Sequence, residues 1–186
     1  MKEDIQECIN YMRKGGLILY PTDTVWGIGC DATNYEAVQK IYRLKERSSA
    51  KALITLVSTE IMLERTVVDM PEIAWDLIDA AERPLTIIYD NVKQIAKNAI
   101  AEDGSCAVRL TKDSFCKTLI SKLGKPIIST SANTSDQPTP KVFSEIEHTI
   151  LKGVDFIVNF RQNEDIKQKA SNIIKLSNNG AIKIIR

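Results

Sequence analysis

Residues 20–32, with the sequence YPTDTVWGIGCDA, bring hydroxyl, glycine and carboxylate groups together in a short segment. Such groups hold small polar ligands by hydrogen bonds. The preceding residues 17–20 have the length and apolar character of a buried strand, and Pro21 cannot donate a ladder hydrogen bond, so the strand should end there. Gly27 and Gly29 would let the backbone approach a ligand. The segment therefore predicts a binding loop at the carboxyl end of a strand, where α/β sheets collect ligands.

Three cations, Lys45, Arg47 and Lys51, follow close together in a stretch without glycine. Arginine presents a planar fork that suits carboxylate or phosphate, whereas lysine supplies a compact point charge. This stretch can therefore hold an anion. The alternative is a solvated helix end, where the helix dipole favours cations.

Two further positions carry polar groups next to apolar strands. Ser131 and Asn133 place a hydroxyl and a carboxamide after a predicted strand, where they could bind a nucleotide or an oxyanion. The alternative is an ordinary polar turn, because these residue types also bond their own backbone. Arg109 interrupts an apolar strand, so it either faces water or meets an anion, since an unpaired buried charge is costly.

Helical and strand-like segments alternate along the chain, which favours an α/β fold. Capping boxes at Thr33 with Glu36 and at Ser144 with Glu147 predict two helix starts. Residues 178–180, Asn-Asn-Gly, predict a hairpin turn. Helices are also expected around residues 5–12, 73–81 and 115–120, and strands at 17–20, 52–57, 85–89, 106–110, 126–129, 156–160, 173–176 and 181–185.

The composition narrows the class of protein. A chain of 186 residues fits one domain. Lys and Arg number 25 against 24 acidic residues, which gives no argument for a general polyanion or membrane surface. The four cysteines lack metal or redox spacing, and there is no signal peptide or bilayer-length apolar run, so we expect a cytoplasmic protein without a membrane partner. P-loop, dinucleotide, zinc and nucleophile-elbow motifs are absent from the sequence.

Five short motifs, taken in order, closely resemble the YrdC-like family over nearly the whole chain. Each motif is weak alone, whereas their order and spacing are specific. They are PTDTVWGIG at 21–29, KxRxxxK at 45–51, PLT at 84–86, AVR at 107–109 and SAN at 131–133.

The resemblance implies a threonylcarbamoyl-AMP synthase, which converts L-threonine, bicarbonate or CO2, and ATP into threonylcarbamoyl-AMP and pyrophosphate for tRNA N6-threonylcarbamoyladenosine modification. The implied fold is a single α/β domain, residues 1–186, with a twisted open mixed sheet flanked by helices around a large basic cavity. ATP is a substrate, and Mg²⁺ is expected to arrive with it rather than on protein ligands. The chain resembles the short, single-domain type, which works with separate threonylcarbamoyl-transfer proteins, and tRNA or double-stranded RNA is a further candidate partner.

The resemblance also implies roles for individual residues. The catalytic group maps onto Lys45, Arg47, Ser131 and Asn133. The threonine contacts map onto Thr24, Arg109 and Ser171. The ATP contacts map onto Arg47, Lys51, Ser105, Ser131, Asn133, Lys141 and Arg186.

The chain departs from the family pattern in several places, of which three concern the candidate site. Trp26 stands where tyrosine is more usual, and its aromatic face could line a pocket. Leu56 occupies a position that is histidine in some members, and Asn172 replaces the usual threonine after Ser171. The last two changes bear on the threonine contacts.

Two alternatives stay open at this point. The same basic concavity could belong to an RNA-binding module without catalysis, although the near-neutral charge balance and few aromatic residues argue against it. A carbamoyl-adenylate enzyme with another amine acceptor is the second alternative.

Overall fold

The computed structural model describes residues 1–46, 53–165 and 169–186. Within these residues the chain forms six α-helices and a large twisted mixed sheet of nine strands flanked by the helices. The helices are α1 Lys2–Arg13, α2 Tyr35–Leu44, α3 Glu60–Thr66, α4 Ile73–Ala80, α5 Ser114–Leu123 and α6 His148–Gly153. The strands are β1 Ile18–Tyr20, β2 Gly27–Asp31, β3 Ile54–Val57, β4 Leu85–Tyr89, β5 Cys106–Leu110, β6 Ile127–Ser131, β7 Phe156–Ile157, β8 Asn172–Leu176 and β9 Ile182–Ile184.

The sheet order is β7-β1-β2-β6-β3-β5-β4-β8-β9, so strands distant in sequence become neighbours. Three pairs are parallel, namely β1 with β7, β3 with β5, and β4 with β8. The other five pairs are antiparallel. The register aligns Leu56 with Arg109, and Gly29 with Ser129, and thereby brings separate motifs onto one surface. The predicted mixed α/β sheet is confirmed.

The two faces of the sheet are covered differently, because side chains of successive strand residues point to opposite faces. On one face, α1 and α5 cover β1 and part of β3, and none of the other described helices packs on the rest of that face, which is therefore called its open part. The apolar cluster there includes Cys8, Met12, Tyr20, Leu56, Phe115 and Leu119. On the other face, α2 packs on Leu19 and Ile28, while α3 and α4 pack on Val57 and Ile87.

The helix predictions hold where apolar periodicity is clear. The apolar side chains expected at residues 5–12 are buried along α1. The Asp113 carboxylate caps α5 by accepting from the Cys116 amide at 2.9 Å. That helix ends at Gly124, whose φ of 76° is the left-handed conformation that glycine adopts readily.

Both predicted capping boxes are wrong. At α2 the cap is Asn34, whose Oδ1 accepts from the Ala37 amide at 3.1 Å, while the Thr33 hydroxyl donates to Asp31 at 2.7 Å. The Asp31 carboxylate thus accepts the hydrogen bond of the Thr33 hydroxyl, and Thr33 does not cap α2. Ser144 lies instead in a short 3-10 turn, and α6 starts later, after Glu147. The Glu147 carboxylate accepts from the Thr134 hydroxyl at 3.0 Å, a distant partner that the local pattern does not reveal.

The strand predictions are accurate for β4 and β5, and the hairpin turn between β8 and β9 is confirmed. Three segments differ. Strand β6 runs on to Ser131, β7 ends at Ile157, and residues 27–31 form β2 rather than a loop. Glycine disfavours strands, but β2 pairs with β1 on one side and β6 on the other, and this pairing overrides the local preference. The helix α3 was not predicted.

Gly29 makes room for a side chain rather than for a ligand, which corrects its predicted role. A Cβ at this position would lie 2.7 Å from Tyr20 Cε1 and 2.9 Å from the Ile128 carbonyl oxygen. Both distances are far below van der Waals contact. The Tyr20 ring therefore occupies the space that a side chain at position 29 would need.

Gly29→Ala is expected to lower the free energy of unfolding by about 1 to 3 kcal/mol, the usual cost of overpacking. Urea denaturation would measure this loss. Gly27→Ala is the matched control, because its Cβ would meet the Ser129 hydroxyl at 3.1 Å and the Tyr20 ring at 3.4 Å. The loss should be clearly smaller there. Equal stability of the Gly29 variant and the unchanged protein would contradict this packing argument.

Within the described ranges, no helix is both long and apolar enough to cross a membrane.

Candidate functional site

The open part of the sheet face carries a cavity of about 240 Å³, here called the sheet-face cavity. Its lining comes from strands β2, β3, β4, β5, β6 and β8, together with the loop before β2 and the chain after β9. The cavity therefore lies over the sheet. The sequence had instead predicted a site at the carboxyl end of a strand. The predicted site residues that line it are Thr24, Arg109, Ser131, Ser171 and Arg186.

Arg109 is the most informative residue of this cavity, because it is a cation with only 4% of its surface exposed. Its Nη2 lies 3.3 Å from the Asp23 carboxylate, and its Nη1 donates a long hydrogen bond of 3.5 Å to Thr24 Oγ1. Its Nε is buried and has no partner among the described residues. A buried N–H group without an acceptor is costly, so Arg109 is suited to receive an anion.

Asp23 is a site residue that the sequence reasoning passed over in favour of Thr24. Burial raises the pKa of Asp23, while the nearby Arg109 lowers it and Asp113 raises it. Arg109 thus favours the charged form of this carboxylate, against the effect of burial. An acidic residue within the PTDT motif was the available signal, but its partner lies in another motif, far along the chain.

The loop before β2 sets the direction of the Thr24 hydroxyl. Thr22 Oγ1 donates to the Val25 carbonyl at 2.8 Å and accepts from the Thr24 amide at 3.0 Å. The Thr22 hydroxyl hydrogen is already donated to the Val25 carbonyl. In the hydrogen bond of 2.9 Å between the two hydroxyls, Thr24 must therefore be the donor. Thr24 Oγ1 then faces Arg109 as an acceptor, and it can accept a further hydrogen bond from a ligand.

Lys45 is buried, with 1% of its surface exposed, so it does not lie at a solvated helix end. Its Nζ donates to the backbone carbonyls of Ser131, at 2.5 Å, and of Asn133. The Lys45 carbonyl in turn accepts from the Ser135 amide at 2.8 Å. These contacts join the end of α2 to the segment after β6 and hold its backbone in place.

The remaining polar groups near the cavity are also held by the protein. The Ser171 hydroxyl bonds the Thr86 hydroxyl at 2.9 Å, and the Ser171 carbonyl accepts from Arg186 Nε at 3.2 Å. Asn133 Nδ2 donates to the Thr134 and Gln137 carbonyls, at 2.8 Å each. Asn133 Oδ1 is buried without a partner in the described part of the chain, so it offers an acceptor.

A second cavity of about 350 Å³, here called the loop cavity, also borders residues 21–26. Trp26 lines it, as predicted for an aromatic face, and packs on Phe143 with ring centroids 4.9 Å apart. Lys141 and Arg161 supply cations, while Asp113 pairs with Arg161 at 2.7 Å. Both cavities include Thr24, so they adjoin at this loop.

Lys141 and Ser105 are not among the described residues that line the sheet-face cavity. Lys141 lines the loop cavity, and its amide donates to Glu145 at 2.7 Å. The Ser105 hydroxyl donates to Asp103 at 2.6 Å, and Ser105 is not in the lining of either cavity as far as the structure describes them. Arg47 and Lys51 lie outside the described residues. The roles given to these four residues, like those of the other predicted site residues, stay predictions.

No three His, Cys, Asp or Glu side chains within residues 1–46, 53–165 and 169–186 lie together as a metal site would require.

A mixed sheet whose open face presents a buried arginine beside hydroxyl groups defines an α/β protein with a cavity suited to a small anion. Comparison with known proteins identifies the family within this class. The Sua5/YciO/YrdC family, described as "Telomere recombination", matches residues 10–186, and the chain belongs to this family. The family resemblance found in the sequence is thereby confirmed.

Three relatives illustrate the similarity. A threonylcarbamoyl-AMP synthase of Stutzerimonas stutzeri is 30% identical over 156 residues, which are 83% of this chain and 84% of that protein. The crystal structure of P. abyssi Sua5 complexed with L-threonine has a TM-score of 0.79 and 25% identity, covering 92% of this chain and 50% of the other. E. coli YciO shares the fold, with a TM-score of 0.85, 22% identity and coverage of 100% and 89%. The chain spans about half the length of the Sua5 chain.

Proposed function

We propose that this protein is a threonylcarbamoyl-AMP synthase. It is a transferase, and more narrowly a nucleotidyltransferase, that forms threonylcarbamoyl-AMP and pyrophosphate from L-threonine, bicarbonate or CO2, and ATP. The observation that carries the proposal is the buried Arg109, whose Nε lacks a partner among the described residues beside the acceptor Thr24. The synthase relative and the threonine-bound Sua5 structure support it.

The threonine end of the reaction fits the sheet-face cavity. The carboxylate of threonine would bind Arg109, and Thr24 Oγ1 would accept a hydrogen bond from its amine or hydroxyl. Ser171, which is 2% exposed, closes the side of the cavity near Thr86. The amine would then be held where it can attack CO2 to give a carbamate.

ATP would be bound by the segment after β6, together with several cations. Ser131 and Asn133 offer a hydroxyl and a carboxamide oxygen that has no partner among the described residues, and Lys45 holds their backbone. Arg47, Lys51, Ser105, Lys141 and Arg186 are the other proposed contacts, with Mg²⁺ carried by the phosphates. The carbamate oxygen attacks the α-phosphorus and pyrophosphate leaves. Holding both anions in register can supply about 7 to 11 kcal/mol of the barrier.

The product is a reactive adenylate, so its threonylcarbamoyl group must pass to an acceptor before water destroys it. We propose that separate threonylcarbamoyl-transfer proteins receive it for tRNA modification in the cytoplasm. Direct binding of tRNA or double-stranded RNA is a further proposal. It predicts binding that weakens steeply with salt.

Purified protein incubated with threonine, bicarbonate, ATP and magnesium is expected to release pyrophosphate and to form the adenylate, detected by mass spectrometry. Omitting threonine should remove both products. Replacing threonine by serine would test whether the enzyme uses another amine acceptor. Replacing bicarbonate by carbamoyl phosphate would test whether it uses another donor. A folded protein that forms no product, binds no ATP and binds RNA in a salt-dependent way would support the RNA-binding alternative instead.

A further inference from the structure

We propose that Tyr20 is a positioning residue of the threonine site, because its phenol directs the Ser129 hydroxyl into the sheet-face cavity. This inference rests on the proposed function for the identity of the ligand. Tyr20 itself is completely buried and does not reach the cavity. It would act through Ser129, which lines the cavity and is 7% exposed.

The contact between these residues is short and well enclosed. The Tyr20 phenol donates to Ser129 Oγ at 2.7 Å. The ring is held by Gly29, which leaves it space, and it stacks on Phe115 with centroids 6.5 Å apart. Burial raises the pKa of Tyr20 well above its usual value, so the phenol keeps the proton that it can donate. The geometry of the contact makes Tyr20 the donor and Ser129 the acceptor.

A serine hydroxyl that accepts from a phenol keeps its own hydrogen for another acceptor. In the described part of the chain, Ser129 Oγ donates no hydrogen bond to the protein. Since Ser129 borders the cavity, this hydrogen is available to an oxygen of the ligand. A carboxylate or carbamate oxygen of threonine is an acceptor of the required kind.

Ser129 and Thr24, which both line the cavity, then form a complementary donor and acceptor pair. The Thr24 hydroxyl is held as an acceptor by Thr22, and the Ser129 hydroxyl is held as a donor by Tyr20. A ligand that offers both a donor and an acceptor oxygen, as an amino acid does, satisfies both. The two hydroxyls would therefore favour one orientation of the bound ligand before the reaction.

Tyr20→Phe is the direct test, since it removes only the phenol oxygen. The threonine KM is expected to rise about three- to tenfold, in line with one lost hydrogen bond, while the ATP KM changes little. Tyr89→Phe is the matched control, because Tyr89 is also a buried strand tyrosine, with 2% exposure, and does not line the cavity. Its kinetics should match those of the unchanged protein.

The double variant separates positioning from packing. If Tyr20 acts through Ser129, Tyr20→Phe should have no further effect on the threonine KM in the Ser129→Ala background. An unchanged threonine KM in the single variant, or the same rise in both backgrounds, would overturn the inference. Absence of threonine-dependent product from the unchanged protein would instead count against the proposed function.

Discussion

Arg109→Met is expected to lower kcat/KM for threonine by about a hundredfold or more. The side chain provides the buried cation of the sheet-face cavity, and removing one partner of a buried charge pair costs about 2 to 5 kcal/mol. Methionine keeps much of the length of the side chain but cannot bind a carboxylate. Steady-state release of pyrophosphate at varied threonine concentration would measure the change.

The same substitution also leaves the Asp23 carboxylate without the cation that lies 3.3 Å away. The free energy of unfolding should therefore fall by about 3 kcal/mol or more. Adding Asp23→Asn should restore stability without restoring activity, which separates the ligand contact from the structural ion pair. Arg109→Lys should be intermediate, because it retains the charge and loses the planar fork. Normal threonine kinetics in Arg109→Met would reject the assigned role.

Lys45→Met is expected to destabilise the protein by about 2 to 5 kcal/mol and to remove most of the activity. The Ser131 and Asn133 carbonyls would lose a buried donor, and each such loss costs about 1 to 3 kcal/mol. The segment that carries Ser131 and Asn133, two of the proposed ATP contacts, would then lose its support. Urea denaturation and pyrophosphate release would give the two effects.

Lys40→Met is the matched control for this variant. Lys40 lies on α2, the helix that Lys45 follows, and among the described residues it donates to one carbonyl, that of Gly15, at 2.8 Å, and lines neither cavity. Its loss should cost about 1 kcal/mol or less and leave activity intact. An inactive Lys45→Met protein with unchanged stability would show that Lys45 acts on ATP directly rather than by holding the backbone.

The sequence was sufficient where local patterns agree with the fold. The apolar spacing of α1 and α5 and the short apolar runs of β4 and β5 predicted these elements, because each buries one continuous surface. It was insufficient where a distant partner decides. Strand β2 contains glycines and forms only because it pairs on both sides, and the Thr33 hydroxyl turns to Asp31 instead of capping α2.

The same division holds for the candidate site. The order of the motifs identified the family, and it also named Thr24, Arg109, Ser131, Ser171 and Arg186, which the sheet brings to one cavity. What the sequence could not reveal is how these groups are held. Asp23 supports Arg109 from a different motif, and Tyr20 reaches Ser129 from a position 109 residues earlier in the chain.

By itself, then, the sequence determined the fold class, the family and most of the groups available for chemistry. Only the tertiary structure decided which of those groups are donors, acceptors or supports. Lys45 illustrates the difference, since its charge is visible in the sequence but its contacts to the Ser131 and Asn133 carbonyls are not. The physical reason is that a hydrogen bond depends on the position and direction of both partners, and sheet pairing sets these between residues far apart in the chain.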